Sequence, residues 1–250
     1  MGTRKHIAVV TGASRGLGRA LAAALLQRQD HRVLCISRRS NPELGPSADL
    51  EQWTADLGDS KPVAQRLADW LAEAASEDVL SVTLINNAGI MPPPGPLSDT
   101  DADDLVSCIR VGLEAPFLLT AAFLNATADW SAPRRVLMMS SGLGTIARAG
   151  QSPYCAVKAG MDHCARALSL EQAALPNGAK VVSLSPGVVD TDMQAELRAR
   201  DPRVFPHAER FRELKAKGLL TAPDEAARVI VERLFMADFG EAPIVDLMVK

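Results

Sequence analysis

The chain has 250 residues, of which 47% are hydrophobic and 23% are charged, and its formal net charge is −3. A chain of this length can bury one sizeable core, and α/β domains of this size often stay single, so we expect one domain spanning residues 1–250. The nearly balanced charge, without a basic block, argues against a nucleic-acid partner. No run of eighteen apolar residues and no signal-peptide pattern occurs, so we expect a cytoplasmic protein that does not associate with membranes.

The N-terminal region predicts a strand, a glycine-rich turn and a helix. His6–Thr11 is a short apolar run rich in β-branched residues, which is typical of a buried strand. Three glycines follow, and an apolar stripe of helical period begins at Leu17. Because a turn without side chains lets the backbone approach a pyrophosphate at the positive end of a helix, we predict a dinucleotide phosphate site rather than a merely flexible loop. Its residues are Gly12, Ala13, Ser14, Arg15, Gly16, Leu17 and Gly18.

The rest of the chain alternates between strand and helix patterns. Further strands are predicted at 32–36, 52–55, 82–85, 135–140, 180–184 and 242–247, and helices notably at 61–75, 101–126 and 154–174. Seven strands separated by helices favour the α/β class, as a single doubly wound domain with a seven-stranded parallel sheet. Ligands are then expected at the carboxyl ends of the strands.

The spacing of the cysteines indicates neither a disulfide nor a metal site. Cys35, Cys108, Cys155 and Cys164 show neither C-x-x-C nor Cys/His metal spacing. We therefore expect reduced, mostly buried thiols and no bound metal.

Tyr154 and Lys158 are four positions apart, so on a helix they would share one face. A fixed cation beside a phenol favours the phenolate, and we expect the pKa of Tyr154 to be lowered from its usual value of about 10. Such a phenol exchanges a proton with a reacting oxygen, which a serine hydroxyl could hold. The alternative is a half-buried tyrosine beside a solvated lysine, and the spacing alone does not decide between the two.

Four motifs, in this order, resemble those of the short-chain dehydrogenase/reductase family: Thr11–Gly18, Asn86–Gly89, Ser141 with Tyr154 and Lys158, and Pro186–Gly187 with Thr191. The resemblance spans most of the chain and implies a Rossmann fold and a nicotinamide-dependent oxidoreductase. It implies that Tyr154 is the general acid, that Lys158 holds the nicotinamide ribose, and that Ser141 orients the carbonyl. Ser140 is the alternative serine, but the family pattern places the active one thirteen positions before the tyrosine.

The choice of cofactor rests on charge. An acidic residue at the end of the second strand is typical of NAD sites and an arginine of NADP sites, and here Arg38 and Arg39 follow Ser37 without an acid. Arg15 adds a cation on the same side, so we predict NADPH/NADP+ rather than two solvated surface arginines. Besides Tyr154 and Lys158, the resemblance implies cofactor contacts from Asp56, Leu57, Asn87, Ala88, Gly89, Val189, Thr191 and Met193.

One position departs from the family pattern. Gly112 stands where the family usually has an asparagine that supports a water linking the lysine to solvent. Since glycine has no side chain to do this, the sequence predicts a changed proton relay, with an extra water in the vacated space or with slower turnover.

The C-terminal part narrows the resemblance. Pro186–Gln194, Glu213–Gly218 and Val245–Lys250 are similar to the sepiapterin reductase and bacterial benzil reductase branch of the family. This implies a mobile substrate lid around residues 193–218. It also implies substrate contacts from Ser141, Tyr154, Gly187 and Asp246. Asp246 could equally be a strand-end carboxylate that faces water.

Three functions follow as alternatives. The first is an NADPH-dependent carbonyl reductase acting on a small dicarbonyl or pterin-like ketone. The second is an NAD-dependent alcohol dehydrogenase, which the arginines oppose. The third is an NADP-binding regulatory protein with weak turnover, which the intact Ser141, Tyr154 and Lys158 oppose.

Self-association is the remaining expectation. The helical patterns at 101–126 and 154–174 carry more apolar residues than one sheet face needs, which favours a homodimer or homotetramer over a thick core. The residues concerned are Val111, Phe117, Phe123, Met161 and Leu168.

Overall fold

The computed structural model describes residues 5–28, 30–74 and 76–248, with only the backbone described at Ser76. Within these ranges, seven parallel strands form one sheet in the order β3-β2-β1-β4-β5-β6-β7. The strands are β1 (Lys5–Thr11), β2 (His31–Ser37), β3 (Leu50–Thr54), β4 (Val79–Asn86), β5 (Arg134–Met139), β6 (Lys180–Ser185) and β7 (Ile244–Asp246). The helices are α1 (Gly16–Leu26), α2 (Ser60–Ala72), α3 (Ala102–Ile109), α4 (Ala115–Ala126), α5 (Ser152–Ala173), α6 (Asp192–Ala199), α7 (Ala208–Ala216) and α8 (Pro223–Leu234).

Helices cover both faces of the sheet. One apolar core joins the strands to α1 and α8, with Leu21 and Ile230 fully buried. The other joins them to α2, α4 and α5, with Leu67 and Leu119 fully buried. Strands covered on both faces are apolar along their length, as Ile7–Val10 shows in β1. This confirms the predicted α/β, doubly wound fold with a seven-stranded parallel sheet.

A third, smaller apolar cluster lies under the segment predicted to be a lid. It joins Leu197 of α6, Phe205 in the turn before α7, Phe211 of α7, and Met91 after β4. Tyr154 is partly buried against this cluster. The segment 193–218 therefore folds as two short helices whose apolar sides meet beside the tyrosine.

Most elements differ from their predicted bounds by one to three residues at an end, and three of the differences have a clear physical reason. The predicted helix at 101–126 is interrupted between α3 and α4 by a π-helical turn, Arg110–Glu114, a local widening that often marks functional sites. β7 is shorter than predicted because Pro243 has no N–H to donate, although its carbonyl accepts a hydrogen bond from the Ser183 amide. α5 begins two residues before Tyr154, with Pro153 in its first turn, where a missing N–H costs little.

The apolar excess on α3–α5 belongs mostly to the core. Val111, Phe123 and Met161 are buried and Leu168 packs against the same core, whereas the side chain of Phe117 is 47% exposed. The thick core therefore accounts for four of the five residues that suggested self-association. By length and composition Ala102–Ala126 could cross a membrane, but a buried core helix has the same composition.

Candidate active site

The glycine-rich turn between β1 and α1 forms a backbone cradle. Gly12 and Gly16 have φ values of +69° and +54°, in the left-handed region that favours glycine. A Cβ atom at Gly18 would lie 2.2 Å from the carbonyl oxygen of Gly12, so any larger residue would push the helix off the turn. The turn leaves its backbone and the N-terminus of α1 open to the cleft, which fits the pyrophosphate of a dinucleotide.

Thr11 ties this turn to the end of β4. Its Oγ1 accepts hydrogen bonds from the backbone amides of Asn87 and Ala88, at 2.9 and 3.0 Å. Asn87 Nδ2 in turn donates to the Thr11 carbonyl at 2.9 Å. These hydrogen bonds fix the glycine-rich turn against the segment that follows β4, although the two are 76 positions apart in the chain.

A cleft of about 520 Å³ runs along the carboxyl ends of the strands. All but two of the residues predicted to bind cofactor or substrate line it. Ala13 does not, because its side chain points into the core and is 1% exposed. Arg39 does not line it either, because the chain turns outward after Arg38 and leaves Arg39 exposed.

The three arginines predicted to meet a 2′-phosphate are therefore not equivalent. Arg38 is exposed at the cleft beside Asp56, and within the described residues it forms no ion pair. Arg15 lines the cleft, but its Nη1 pairs with Asp192 Oδ2 at 2.7 Å, across to the first residue of α6. Arg15 is thus already partnered, which the sequence did not predict. Of the two arginines that line the cleft, Arg38 is the one without an ion pair within the described residues.

The predicted acid and its neighbours meet at the centre of the cleft. Tyr154 and Lys158 lie on one face of α5, with Lys158 Nζ 5.4 Å from the centre of the tyrosine ring. Lys158 is 3% exposed and its Nζ donates to the Met139 carbonyl at 2.7 Å. Ser141 follows β5 and also lines the cleft. The structure therefore brings together the three side chains that the sequence singled out.

Ser140, the alternative serine, differs from Ser141 in its surroundings. Its side chain is buried, and its Oγ has no hydrogen-bond partner within the described residues. Ser141 is partly exposed, and its Oγ accepts from the Leu143 amide at 3.2 Å, which leaves its proton free to donate. This arrangement favours Ser141 as the group that holds a substrate oxygen.

The predicted direction of the tyrosine pKa is wrong for this structure. Burial raises the pKa of the Tyr154 phenol above its usual range, because the phenolate would be poorly solvated. Burial likewise lowers the pKa of Lys158 to about 8. The ammonium group that was expected to stabilise the phenolate therefore loses its proton more readily than an exposed lysine does. At neutral pH the phenol therefore keeps its proton, which is the form that can donate one.

Gly112 lies in the π-helical turn, and the position that its Cβ atom would take is already filled. A Cβ atom there would lie 2.6 Å from Cγ1 of Val157, a buried residue one position before Lys158. The predicted extra water therefore cannot occupy the Cβ position of Gly112, because a methyl group of Val157 fills it. Lys158 uses the Met139 carbonyl as its protein partner.

We predict that Gly112→Asn destabilises the protein by about 1–3 kcal/mol, because the stiff, buried Val157 cannot move away cheaply. Denaturant unfolding of the variant measures this cost. Val157→Ala in the same chain should recover part of the stability lost through Gly112→Asn. An unfolding midpoint for Gly112→Asn equal to that of the parent would show that the site accommodates the larger side chain.

The substrate residues from the C-terminal part also reach the cleft. Asp246 ends β7 beside Ser185, and its Oδ1 accepts from the Met248 amide at 2.9 Å. A Cβ atom at Gly187 would lie 2.7 Å from Met248 Sδ, so the C-terminal segment packs on the Pro186–Gly187 turn. Asp246 thus lies at the cleft, but one of its two carboxylate oxygens already accepts a hydrogen bond from the backbone two residues further on.

Several cleft residues escaped the sequence analysis. They are Met91, Leu143, Ile146, Arg148, Gln151, Arg210, Phe211 and Leu214. They lie in the segment after β4, in the loop between Ser141 and α5, and in α7, where no motif or periodicity distinguishes a cleft residue from a solvated one. For Arg210, Phe211 and Leu214, the sequence indicated only that they belong to the predicted substrate lid, residues 193–218.

Comparison with known proteins agrees with the geometry. Residues 6–202 match the model of the short chain dehydrogenase family. A benzil reductase ((S)-benzoin forming) of Bacillus cereus is 32% identical over 246 residues, covering 96% of this chain and 98% of the relative. Sepiapterin reductase of Meriones unguiculatus is 30% identical over 256 residues, covering 96% of this chain and 95% of that protein.

Among solved structures, an NAD(P)-dependent gluconate 5-dehydrogenase from Beutenbergia cavernae, with NADP bound at low occupancy, superposes with a TM-score of 0.78. It is 29% identical, and the match covers 98% of this chain and 96% of that one. Taken with the glycine cradle and the Ser141, Tyr154 and Lys158 arrangement, these matches show that the chain belongs to the short-chain dehydrogenase/reductase family of oxidoreductases.

Proposed function

We propose that the protein is an NADPH-dependent carbonyl reductase acting on a small dicarbonyl or pterin-like ketone. The observation that carries the proposal is the meeting of Tyr154, Lys158 and Ser141 in the cleft that also contains the glycine cradle. The benzil and sepiapterin reductase relatives support the choice of substrate class.

The chain's residues would divide the work as follows. When bound, the nicotinamide cofactor supplies the hydride that reduces the carbonyl carbon. Tyr154 donates its proton to the carbonyl oxygen, and Ser141 holds that oxygen by donating a hydrogen bond. Lys158 holds the nicotinamide ribose from its position beside Gly89, whose Cβ atom, if present, would lie 3.7 Å from Lys158 Nζ.

The raised pKa of Tyr154 favours reduction over alcohol oxidation. A proton donor must be protonated at the start of the step; a phenol of ordinary pKa already is at neutral pH, and burial raises the pKa of Tyr154 further. Oxidation of an alcohol would require the phenolate, which burial disfavours. The free guanidinium of Arg38 supports NADPH over NADH, since it can bind a 2′-phosphate.

A substrate panel tests this function. Aromatic α-diketones, pterins, quinones and simple ketones are each mixed with the protein and NADPH, and the loss of NADPH absorbance is followed. We expect the dicarbonyl compounds to be reduced fastest. A panel in which none of the carbonyl compounds consumes NADPH would contradict the proposal.

We further propose that the protein self-associates. Val106 and Ile109 of α3 and Phe117 of α4 are 44%, 51% and 47% exposed, so these neighbouring helices carry apolar residues that the described part of the chain covers only in part. Light scattering should give a multiple of the 26.6 kDa chain mass. The variants Phe117→Glu in α4 and Leu170→Glu in α5 each place a charge on an exposed apolar position, and the one that lowers the mass identifies the helix at the interface. A parent protein with the mass of one chain at micromolar concentration would reject the association.

A further inference from the structure

Two arginines at the tyrosine end of the cleft have no role in the proposed reaction. Arg148 lies in the loop between Ser141 and α5, and Arg210 lies on α7 in the lid. Arg148 lies against the lid helix next to Arg210, because its guanidinium carbon is 5.2 Å from the ring of Phe211, the following residue of α7. Their charges are close enough that Arg210 contributes to lowering the pKa of Arg148, although burial is the larger cause.

Arg148 is held in place rather than free in solvent. Its guanidinium carbon lies 5.2 Å from the centre of the Phe211 ring, and its Nη1 donates to Gln151 Oε1 at 3.3 Å. Gln151 is itself buried, and its Nε2 contacts Met91 Sδ at 3.0 Å. Phe211 and Met91 belong to the apolar cluster on which Tyr154 packs, so this chain of contacts fixes the cation near the proton donor.

Within the described residues, neither arginine forms an ion pair with a carboxylate. The carboxylates lining the cleft have other recorded partners: Asp192 pairs with Arg15, Asp56 accepts from the Gly58 amide, and Asp246 accepts from the Met248 amide. Arg148 is half-buried and Arg210 is exposed, so two like charges line one part of the cleft, and an anion bound by both would relieve their repulsion.

We propose that Arg148 and Arg210 bind a carboxylate on the substrate, so that the preferred substrates are 2-oxo acids in which the carboxylate adjoins the reacting ketone. This inference rests on the proposed function and narrows its substrate class. A guanidinium matches a planar carboxylate with two parallel hydrogen bonds, and Arg210, on the lid, would meet the anion as the lid covers it.

The chemistry stays that of a ketone reduction. One hydride from NADPH adds to the ketone carbon, and the proton of Tyr154 goes to the ketone oxygen, giving a 2-hydroxy acid and NADP+. The carboxylate is unchanged and serves only to orient the ketone. Arg148 and Arg210 are therefore specificity-determining residues, distinct from the proton donor.

The test compares 2-oxo-2-phenylacetate with its methyl ester, which keeps the phenyl ring and both carbonyls but lacks the charge. Binding of each compound to the protein saturated with NADP+ is measured by calorimetry, because no reduction occurs with the oxidised cofactor. Rates of reduction with NADPH are then measured for both compounds. The binding measurement stays informative even if the proposed reduction fails.

We expect the acid to bind at least about tenfold more tightly than the ester, and to show the lower KM. Arg148→Gln and Arg210→Gln should each remove most of this preference, so that the dissociation constants of the acid and the ester become nearly equal. Arg203→Gln is the matched control, since it removes the same charge from an exposed lid residue that pairs with Asp201 outside the cleft.

Equal binding of the acid and the ester to the parent protein would overturn the inference. An equal loss of acid binding in Arg203→Gln would overturn it too, because the effect would then reflect the overall charge. Reduction of neutral dicarbonyls without any preference for the acid would leave the proposed reductase standing and remove only the carboxylate site.

Discussion

Replacement of Tyr154 by phenylalanine should lower the rate of carbonyl reduction by about 10²–10⁴-fold, the usual contribution of a positioned general acid. The substitution removes only a hydroxyl, so the contacts of the ring with the apolar cluster beside the lid should persist. Binding of NADPH should therefore stay nearly unchanged. Steady-state rates, with cofactor binding measured by fluorescence titration, check both parts.

Lys158→Ala provides the contrast. Lys158 is proposed to hold the cofactor ribose as well as to lie beside the phenol, so its loss should weaken NADPH binding and reduce the rate together. The chain contains one tyrosine, so no second phenol could substitute for the first. Full turnover in a correctly folded Tyr154→Phe protein would eliminate the phenol as the proton donor.

Substitution of Arg38 by aspartate should narrow or invert the preference for NADPH over NADH. In the parent protein, charge-assisted hydrogen bonds to the 2′-phosphate should favour NADPH by about 1.5–3 kcal/mol, or roughly ten- to a hundredfold in Kd. An aspartate in that place would repel the phosphate and could accept from the ribose hydroxyls of NADH. Dissociation constants for both cofactors measure the change.

Arg39→Asp is the matched control for this experiment. It makes the same charge change one residue away, at a side chain that does not line the cleft. We expect it to shift the preference far less than Arg38→Asp. Equal dissociation constants of the two cofactors for the parent protein, or equal effects of the two variants, would contradict the role given to Arg38.

The sequence predicted the fold well because its signals were local and repeated. Buried parallel strands are short apolar runs, and the helices between them carry their own periodicity, so each element could be recognised from its own residues. The glycine turn was predictable for a different reason. Gly12 and Gly16 need positive φ values and Gly18 has no room for a Cβ atom, so the residue type itself carries the structural information.

What the sequence missed depends on contacts between distant segments. The pairing of Arg15 with Asp192 joins positions 177 apart, and nothing near Arg15 indicates it. The raised pKa of Tyr154 comes from burial under a cluster that the lid completes, which a four-residue spacing cannot show. The filling of the space at Gly112 by Val157 likewise depends on how α5 packs against the π-helical turn.

Transfer of deuterium from labelled NADPH to a carbonyl carbon tests the central claim most directly. The protein is incubated with an aromatic α-diketone and NADPH in which both hydrogens at C4 of the nicotinamide are deuterium, and the product is examined by mass spectrometry and NMR. We expect a hydroxyketone with deuterium on the carbinol carbon, and almost none of this product from Tyr154→Phe. Recovery of the unlabelled diketone, or of a product without deuterium at that carbon, would contradict this expectation.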